Sequence, residues 1–387
     1  MRVLYTNHTG QVSGGERSLI DLLAGLPGDV TPTVACPAGR LARMVEGLGI
    51  PVATVPETDG SLRIHPWHSS RAIIQIGWAA LRLRYLASRT GAQLIHANSI
   101  RAGVAAILAA RMGGPPVVVH VRDCLPHSGL ADISRRLLVH SRSLLIANSL
   151  YTAAAIGGRS GSSRLFTIYN PVDLERFNPD AISPDAARRQ LNLDLEGPVL
   201  GVIGQLAPWK AQDDAIRCLS QLIARWPKAR LLIVGKAVFT AKAARYDNLQ
   251  YANSLKRLVD DLKLGDAVQF LGEREDIPEI LRALDLLLLP SWHEPFGRSV
   301  AEAMAMTTPV VATDEGGPAE FITDTVDGIL LAPRQPTVWA EAVDELLRQP
   351  GRRLEIGRRG GITARRFGRS SHVAEVLSVY GEALTLN

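Results

Sequence analysis

Only three cysteines occur in the chain, Cys36, Cys124 and Cys218, at spacings that suit neither a disulfide framework nor a zinc site, so three ordinary thiols in a reducing compartment are expected. No uninterrupted apolar run reaches the roughly 20 residues that a membrane-spanning helix needs. The opening Met1-Arg-Val-Leu-Tyr-Thr6 reads as a first strand rather than a secretory leader, and a cytoplasmic protein is the expectation. Asp-x-Asp is absent, and no His, Asp and Glu cluster has ligand spacing, so neither a metal nor another cofactor is expected. The lack of a Gly-x-Gly-x-x-Gly after the first strand disfavours an NAD dehydrogenase. Internal repeats and low-complexity segments are also missing.

What is present is alternation. Strand-like runs at Arg2 to Tyr5, Thr33 to Cys36, Leu94 to Ala97, Val117 to Val121, Leu144 to Ala147 and Leu165 to Ile168 are separated by helical stretches, which predicts a doubly wound sheet. The alternation restarts at Pro198 and continues through Arg230 to Val234, Val268 to Leu271, Leu286 to Leu289, Pro309 to Ala312 and Gly328 to Leu331. With 387 residues, the chain exceeds the roughly 250–300 at which single cores stop growing. The reading is an α/β protein of two Rossmann-like domains, residues 1–178 and 196–368, facing a central cleft, with a candidate last helix over 369–387.

Charge is unevenly divided. Residues 1–180 carry 18 Arg, no Lys and 11 Asp plus Glu, a balance of +7, which leaves −2 for the rest of the +5 total. That bias fits either a solvated arginine-rich surface or attraction to an anionic lipid or phosphorylated acceptor. After Ile64-His-Pro-Trp67, the stretch from Arg71 to Arg89 mixes Ile73, Ile74, Ile76, Trp78, Leu81, Leu83, Tyr85 and Leu86 with Arg82, Arg84 and Arg89. Such a segment suits an interfacial amphipathic helix in peripheral contact with a membrane, and equally a helix packed on the first sheet.

The densest motif is Ser291-Trp-His-Glu-Pro-Phe-Gly-Arg-Ser-Val-Ala-Glu-Ala-Met-Ala305, which sets Glu294 and Glu302 eight positions apart across a turn. A buried strand precedes it and helix-forming residues follow, so the turn lies at a strand's carboxyl end, where open α/β sheets bind ligands. The amides that open the helix offer positive potential to a phosphate. Glu302 is then placed for ribose hydroxyls and Glu294 for those of a sugar, with Phe296-Gly297 allowing close backbone approach.

This block, together with Gly14-Gly15-Glu16-Arg17, Ala147-Asn-Ser149, Asn170-Pro-Val-Asp173, Gly204-Gln-Leu206 with Lys210, Val268-Gln-Phe-Leu-Gly272 and Gly316-Gly-Pro-Ala-Glu320, resembles the retaining GT-B glycosyltransferases of family 4 nearly end to end. The resemblance implies transfer of a hexose-type residue from a nucleoside diphosphate sugar, with UDP the expected nucleotide, to a hydroxyl of a glycan, lipid-linked or small-molecule acceptor, and a final helix over 369–387 that crosses back to the first domain. Lys210 is the cation expected at the leaving diphosphate, and Gly14-Gly15, ahead of a helix over Ser18 to Leu26, the turn that meets it from the other domain, with Glu16 or Arg17 near the acceptor. Arg298 and Ser299 join the donor site, Arg274 and Phe270 line the base pocket, and Glu320 holds the loop or caps a helix over Ala319 to Thr323. Two positions depart from the pattern. Gln205 stands where an arginine is usual, and Arg122 where a histidine is usual, with His120 two residues earlier on the same strand face, so that both are catalytic candidates in reach of the sugar or the acceptor phosphate. Those departures keep open a GT-B sugar-nucleotide epimerase or a silent nucleotide-sugar-binding protein.

Overall fold

The structure, a computed structural model, describes residues 1–57, 66–125, 129–157, 164–238 and 246–386. The chain divides into two compact units, Met1–Pro171 with Arg369–Asn387, and Val172–Gly368. Residues 172–195 therefore belong to the second unit, where the expected bounds 1–178 and 196–368 gave them to the first domain and to a gap after it. Val172 N–H already donates to Phe367 O at 2.8 Å, and the helix Pro184–Gln190 anchors Arg188 on Asp285 at 2.6 Å, so both segments belong to the second unit.

The first unit is built on seven parallel strands: β1 (Arg2–Thr6), β2 (Thr31–Cys36), β3 (Val52–Thr54), β4 (Leu94–Ala97), β5 (Val117–Val121), β6 (Leu144–Ala147) and β7 (Leu165–Thr167). Their order is β3-β2-β1-β4-β5-β6-β7. Helices cover both faces, which is why the central strands read as unbroken apolar runs rather than alternating ones. One face packs Leu83 and Leu86 of the helix Pro66–Thr90 over Ile95, Val117 and Val119. The other receives the last helix, Arg369–Thr385, whose Val373, Val376, Val379 and Tyr380 bury against Tyr5, Val118 and Ile146.

The second unit holds six parallel strands: β8 (Val199–Ile203), β9 (Arg230–Val234), β10 (Val268–Gly272), β11 (Leu286–Leu289), β12 (Val310–Thr313) and β13 (Ile329–Leu331), in the order β10-β9-β8-β11-β12-β13. Each unit thus reverses its winding direction once, between β1 and β4 in the first and between β8 and β11 in the second. The loops leaving those strand pairs diverge to opposite faces of the sheet and open a crevice at the carboxyl edge.

Candidate active site: two switch points

In the second unit the loops after β8 and β11 carry the chemistry-bearing residues. β8 leads through Gly204 to the short turn Pro208–Lys210, and β11 leads to Ser291 and Glu294. The two loops are tied together, since Trp292 N–H donates to Trp209 O at 2.8 Å and the Trp209 and His293 rings stack at 5.5 Å. The result is a salt bridge: Lys210 Nζ lies 2.5 Å from Glu294 Oε2, which also accepts from Ser291 Oγ at 3.1 Å. Both side chains are largely shielded from water, Lys210 at 14% and Glu294 at 8% exposure. Lys210 Nζ also lies 4.3 Å from the Trp209 ring centre, so an aromatic face adds to the electrostatic hold on this ammonium.

The Glu294 turn is clamped by the loop after β12. Glu294 N–H donates to Glu315 O at 2.9 Å, and Gly317 N–H donates to Glu294 O at 2.8 Å. Gly316, at φ +121°, passes so close that a Cβ there would stand 2.0 Å from Glu294 O. Gly297, at φ 88°, then turns the chain left-handed into the helix Arg298–Ala305. The amides of Arg298 and Ser299 open that helix, and Arg298 Nε lies 2.6 Å from Glu302 Oε1 one turn on. Glu294 and Glu302 therefore each have a cation beside them.

The first unit assembles a second polar cluster from residues that follow strand ends. Arg122, after β5, is buried; its Nε donates to Asn98 Oδ1 at 3.0 Å, Nη1 to Asn170 Oδ1, and Nη2 to His120 Nδ1 at 3.1 Å. Guanidinium has no acceptor, so His120 Nδ1 must carry the lone pair and the imidazole is neutral with its proton on Nε2. Burial, and then the Arg122 charge, push the His120 pKa well below its ordinary value, in agreement. Asn98, after β4, passes the polarity on through Nδ2 to Asn7 Oδ1 at 3.1 Å and to Gly15 O at 3.3 Å. Asn7, after β1, donates to Glu16 Oε1 at 3.2 Å.

Several sequence expectations change here. Gly14 and Gly15 are not a turn ahead of a helix; the helix runs Gly14–Ala24, with Ser13 before its first turn. Glu16 closes that end, accepting from Ser13 N–H at 3.0 Å, because its carboxylate neutralises amides that have no partner within the helix. Gly15 lies against Arg122, whose Cδ would be 3.1 Å from an added Cβ, whereas Gly14 faces open space. His120 is fully buried beneath Arg122. Phe296 is buried as well, its ring 5.5 Å from both Phe321 and Phe367, because it fills the core under the turn. Arg274 follows the edge strand β10 and grips Asp276 through two nitrogens, two strands away from the switch point. Phe270 packs half-buried on the apolar core. Glu320 ends the short 3-10 turn Gly317–Glu320 rather than opening a longer helix. Gln205 stands at the expected place after β8, where its carbonyl accepts from the buried Gln212 Nε2 at 2.9 Å.

Asn7 and Asn98 were not among the expected site residues. The readable sign is that Ala97-Asn98-Ser99 repeats the Ala147-Asn148-Ser149 pattern, each serine capping the next helix while the asparagine before it leaves a strand end. Among the described residues, no group of three His, Cys, Asp or Glu side chains is arranged to hold a metal ion.

Known proteins share this construction. Residues 184–361 match the family described as Glycosyl transferases group 1, and residues 12–176 match Glycosyltransferase Family 4. The D-inositol 3-phosphate glycosyltransferase of Salinispora tropica is 32% identical over 75% of this chain, a match spanning 64% of the relative's own length. That of Salinispora arenicola is 31% identical over 78% of this chain and 72% of the relative. Among solved structures, Anabaena HepE in complex with UDP-glucose superposes with a TM-score of 0.84 at 27% identity, over 99% of this chain and 100% of that one. The sucrose-phosphate synthase of Thermosynechococcus elongatus, at 19% identity and a TM-score of 0.79 over the whole of both chains, shares the fold. Two Rossmann-like parallel sheets, matched over nearly the whole chain by GT-B structures and one apiece by the two family models, make this chain a member of the group 1 glycosyl transferases, glycosyltransferase family 4.

Proposed function

We propose that this protein transfers a hexose-type residue from a UDP-linked sugar to an acceptor hydroxyl, with retention of configuration and without a metal. The observation that carries the reading is the pairing at the second switch point, Lys210 with Glu294 and Arg298 with Glu302, at the opening of one helix. Lys210 keeps two further N–H donors beside the one directed at Glu294, and these suit the β-phosphate of a donor. The amides of Arg298 and Ser299 add fixed positive potential without reorganisation. Glu294 accepts from the sugar's hydroxyls, and Glu302 from those of the ribose.

In the transfer, the bond from the anomeric carbon to the phosphate oxygen breaks with its electron pair going to the diphosphate. The acceptor oxygen bonds to the same face of the carbon, and its proton passes to the departing phosphate oxygen. Lys210 and the helix amides stabilise the charge that gathers on the leaving group, which is where fixed donors lower a barrier most. The UDP-glucose complex of HepE supports the choice of nucleotide, and the relatives named for D-inositol 3-phosphate favour a phosphorylated or other small hydroxyl acceptor, with Arg122 and its asparagines as the acceptor-side cluster. Glycans and lipid-linked sugars remain within the same chemistry.

A thermal-shift panel of UDP, GDP, ADP and dTDP on the wild type and Glu302→Ala tests this. Saturation at about 100 times Kd stabilises by roughly 2.7 kcal/mol. Stabilisation of the wild type by UDP, weakened in the variant, is expected. No shift with any nucleotide would overturn the reading, and UDP-sugar turnover with no acceptor present would redirect it to an epimerase.

A further inference from the structure

The helix Pro66–Thr90 divides its apolar residues between two faces. Ala79, Leu83, Leu86 and Ala87 are buried in the first unit's core, with Ile76 packed beside them. Five others point away from it: Ile73 and Ile74 are each 61% exposed, Trp78 65%, Leu81 56% and Tyr85 48%. Packing on the sheet thus accounts for only part of the apolar content. Ile64 and His65 lie outside the described residues.

Ile74, Trp78, Leu81 and Tyr85 follow one another at steps of four, three and four, so they form a single stripe along the outer surface. Arginines frame it. Arg82 and Arg89 place their guanidiniums 5.4 and 5.9 Å from the Tyr85 ring centre, and Arg84 on the other flank donates to Met112 O at 3.1 Å. The helix contains no Asp or Glu, and neither does the helix Ile100–Arg111 packed against it. From Gly60 to Arg122 the sequence carries eight arginines and no acidic residue or lysine.

We propose that this face docks on an anionic phospholipid bilayer, with the stripe entering the headgroup boundary and the arginines meeting lipid phosphates. Three observations select a bilayer over a protein partner. Trp78 and Tyr85 are the amphipathic rings that settle at a membrane–water interface. The flanking cations are all arginine, on stems long enough to keep the guanidinium in the phosphate layer while the stripe goes deeper. The acid-free segment is complementary to a surface of one sign, which a leaflet offers over a wide area. Among the described residues no helix is long and apolar enough to cross a membrane, so the contact is peripheral. The inference rests on this surface alone and does not depend on the identity of the donor.

Sedimentation of the full chain with vesicles tests it. The wild type should pellet with phosphatidylcholine vesicles containing phosphatidylglycerol, much less with phosphatidylcholine alone, and less as salt rises. Trp78→Glu should weaken binding about tenfold or more, because it places a charge in the buried stripe. Arg82→Ala with Arg89→Ala should lose the preference for anionic lipid while the apolar face remains. Leu81→Asn serves as an independent stripe variant, with circular dichroism confirming that each is folded. Equal pelleting with neutral vesicles, or a folded Trp78→Glu that binds like the wild type, would overturn the proposal. A wild type that ignores vesicles but forms a dimer in light scattering, lost in Trp78→Glu, would assign the face to a second copy instead.

Discussion

Lys210 and Glu294 come from loops that follow different strands and are 84 positions apart in sequence, yet their side chains meet at 2.5 Å, both largely shielded from water. An ion pair so placed is costly to break from one side, since the partner left behind stays buried and charged. Lys210→Ala should therefore have two separable effects. Loss of Glu294's partner should lower stability by about 1–3 kcal/mol. Loss of the cation proposed to meet the phosphate should lower the single-turnover rate about 10²–10³-fold, the usual cost of one fixed transition-state donor. Urea unfolding and single-turnover assays with UDP-glucose read the two independently. A destabilised variant with an unchanged rate would make Lys210 a structural partner only.

Glu302 is held differently, by Arg298 one turn earlier on the same helix. Its removal breaks a contact within one helix, so the expected loss is in the proposed ribose contacts. Glu302→Ala should weaken UDP affinity about tenfold, roughly 1.4 kcal/mol, in titration calorimetry, with stability nearly unchanged. Equal UDP affinity in both proteins would remove Glu302 from the nucleotide site.

Much of this architecture was legible because parallel strands buried on both faces advertise themselves as apolar runs, and twelve such runs fall on observed strands. β3 escaped notice since Val52-Ala-Thr54 is three residues at a sheet edge, too short for any period to show. The glutamate pair could be placed at a strand end because turn residues mark it. Which cation each glutamate meets was not readable, since Lys210–Glu294 is fixed by tertiary contacts between Trp209 and Trp292. Gly14 and Gly15 misled for a local reason: glycine opposes helix, but here the Ser13 and Glu16 cap outweighs that preference.

Gly14, Gly15 and Gly316 should respond unequally to alanine. Gly316→Ala drives a methyl into the Glu294 carbonyl at 2.0 Å and strains a backbone at φ +121°. A loss of at least about 2 kcal/mol is expected, together with loss of donor binding, because the Glu294 turn must shift. Gly14→Ala, in open space at a helix start, should be neutral or slightly stabilising. Gly15→Ala should fall between them, since only the Arg122 methylenes must give way. Comparable melting temperatures for Gly316→Ala and Gly14→Ala would contradict the clamp.

Acid should unfold the first unit through its core histidines. His96 is completely buried, with Nδ1 2.7 Å from Tyr380 Oη on the last helix, and burial followed by the Arg122 charge lowers its pKa to about 3. His120 is depressed as well, for the same causes. An imidazole unfolded titrates near 6.5, so below that pH the unfolded chain takes up protons that the folded one refuses. The stabilisation from each is complete above about pH 6.5 and is lost as pH falls, with a slope approaching about 1.4 kcal/mol per unit per histidine. Asp214 works the other way: burial and then Asp213 raise its carboxyl to about 6, which adds stability as pH falls through that value. It is only half-buried, so solvent screening reduces its opposing share. Urea midpoints should therefore decline between about pH 7 and pH 5, and His96→Phe should flatten the decline by about one histidine's worth. An identical slope in the variant would mean that His96 accepts its proton in the folded state, and that the Tyr380 contact does not hold it neutral.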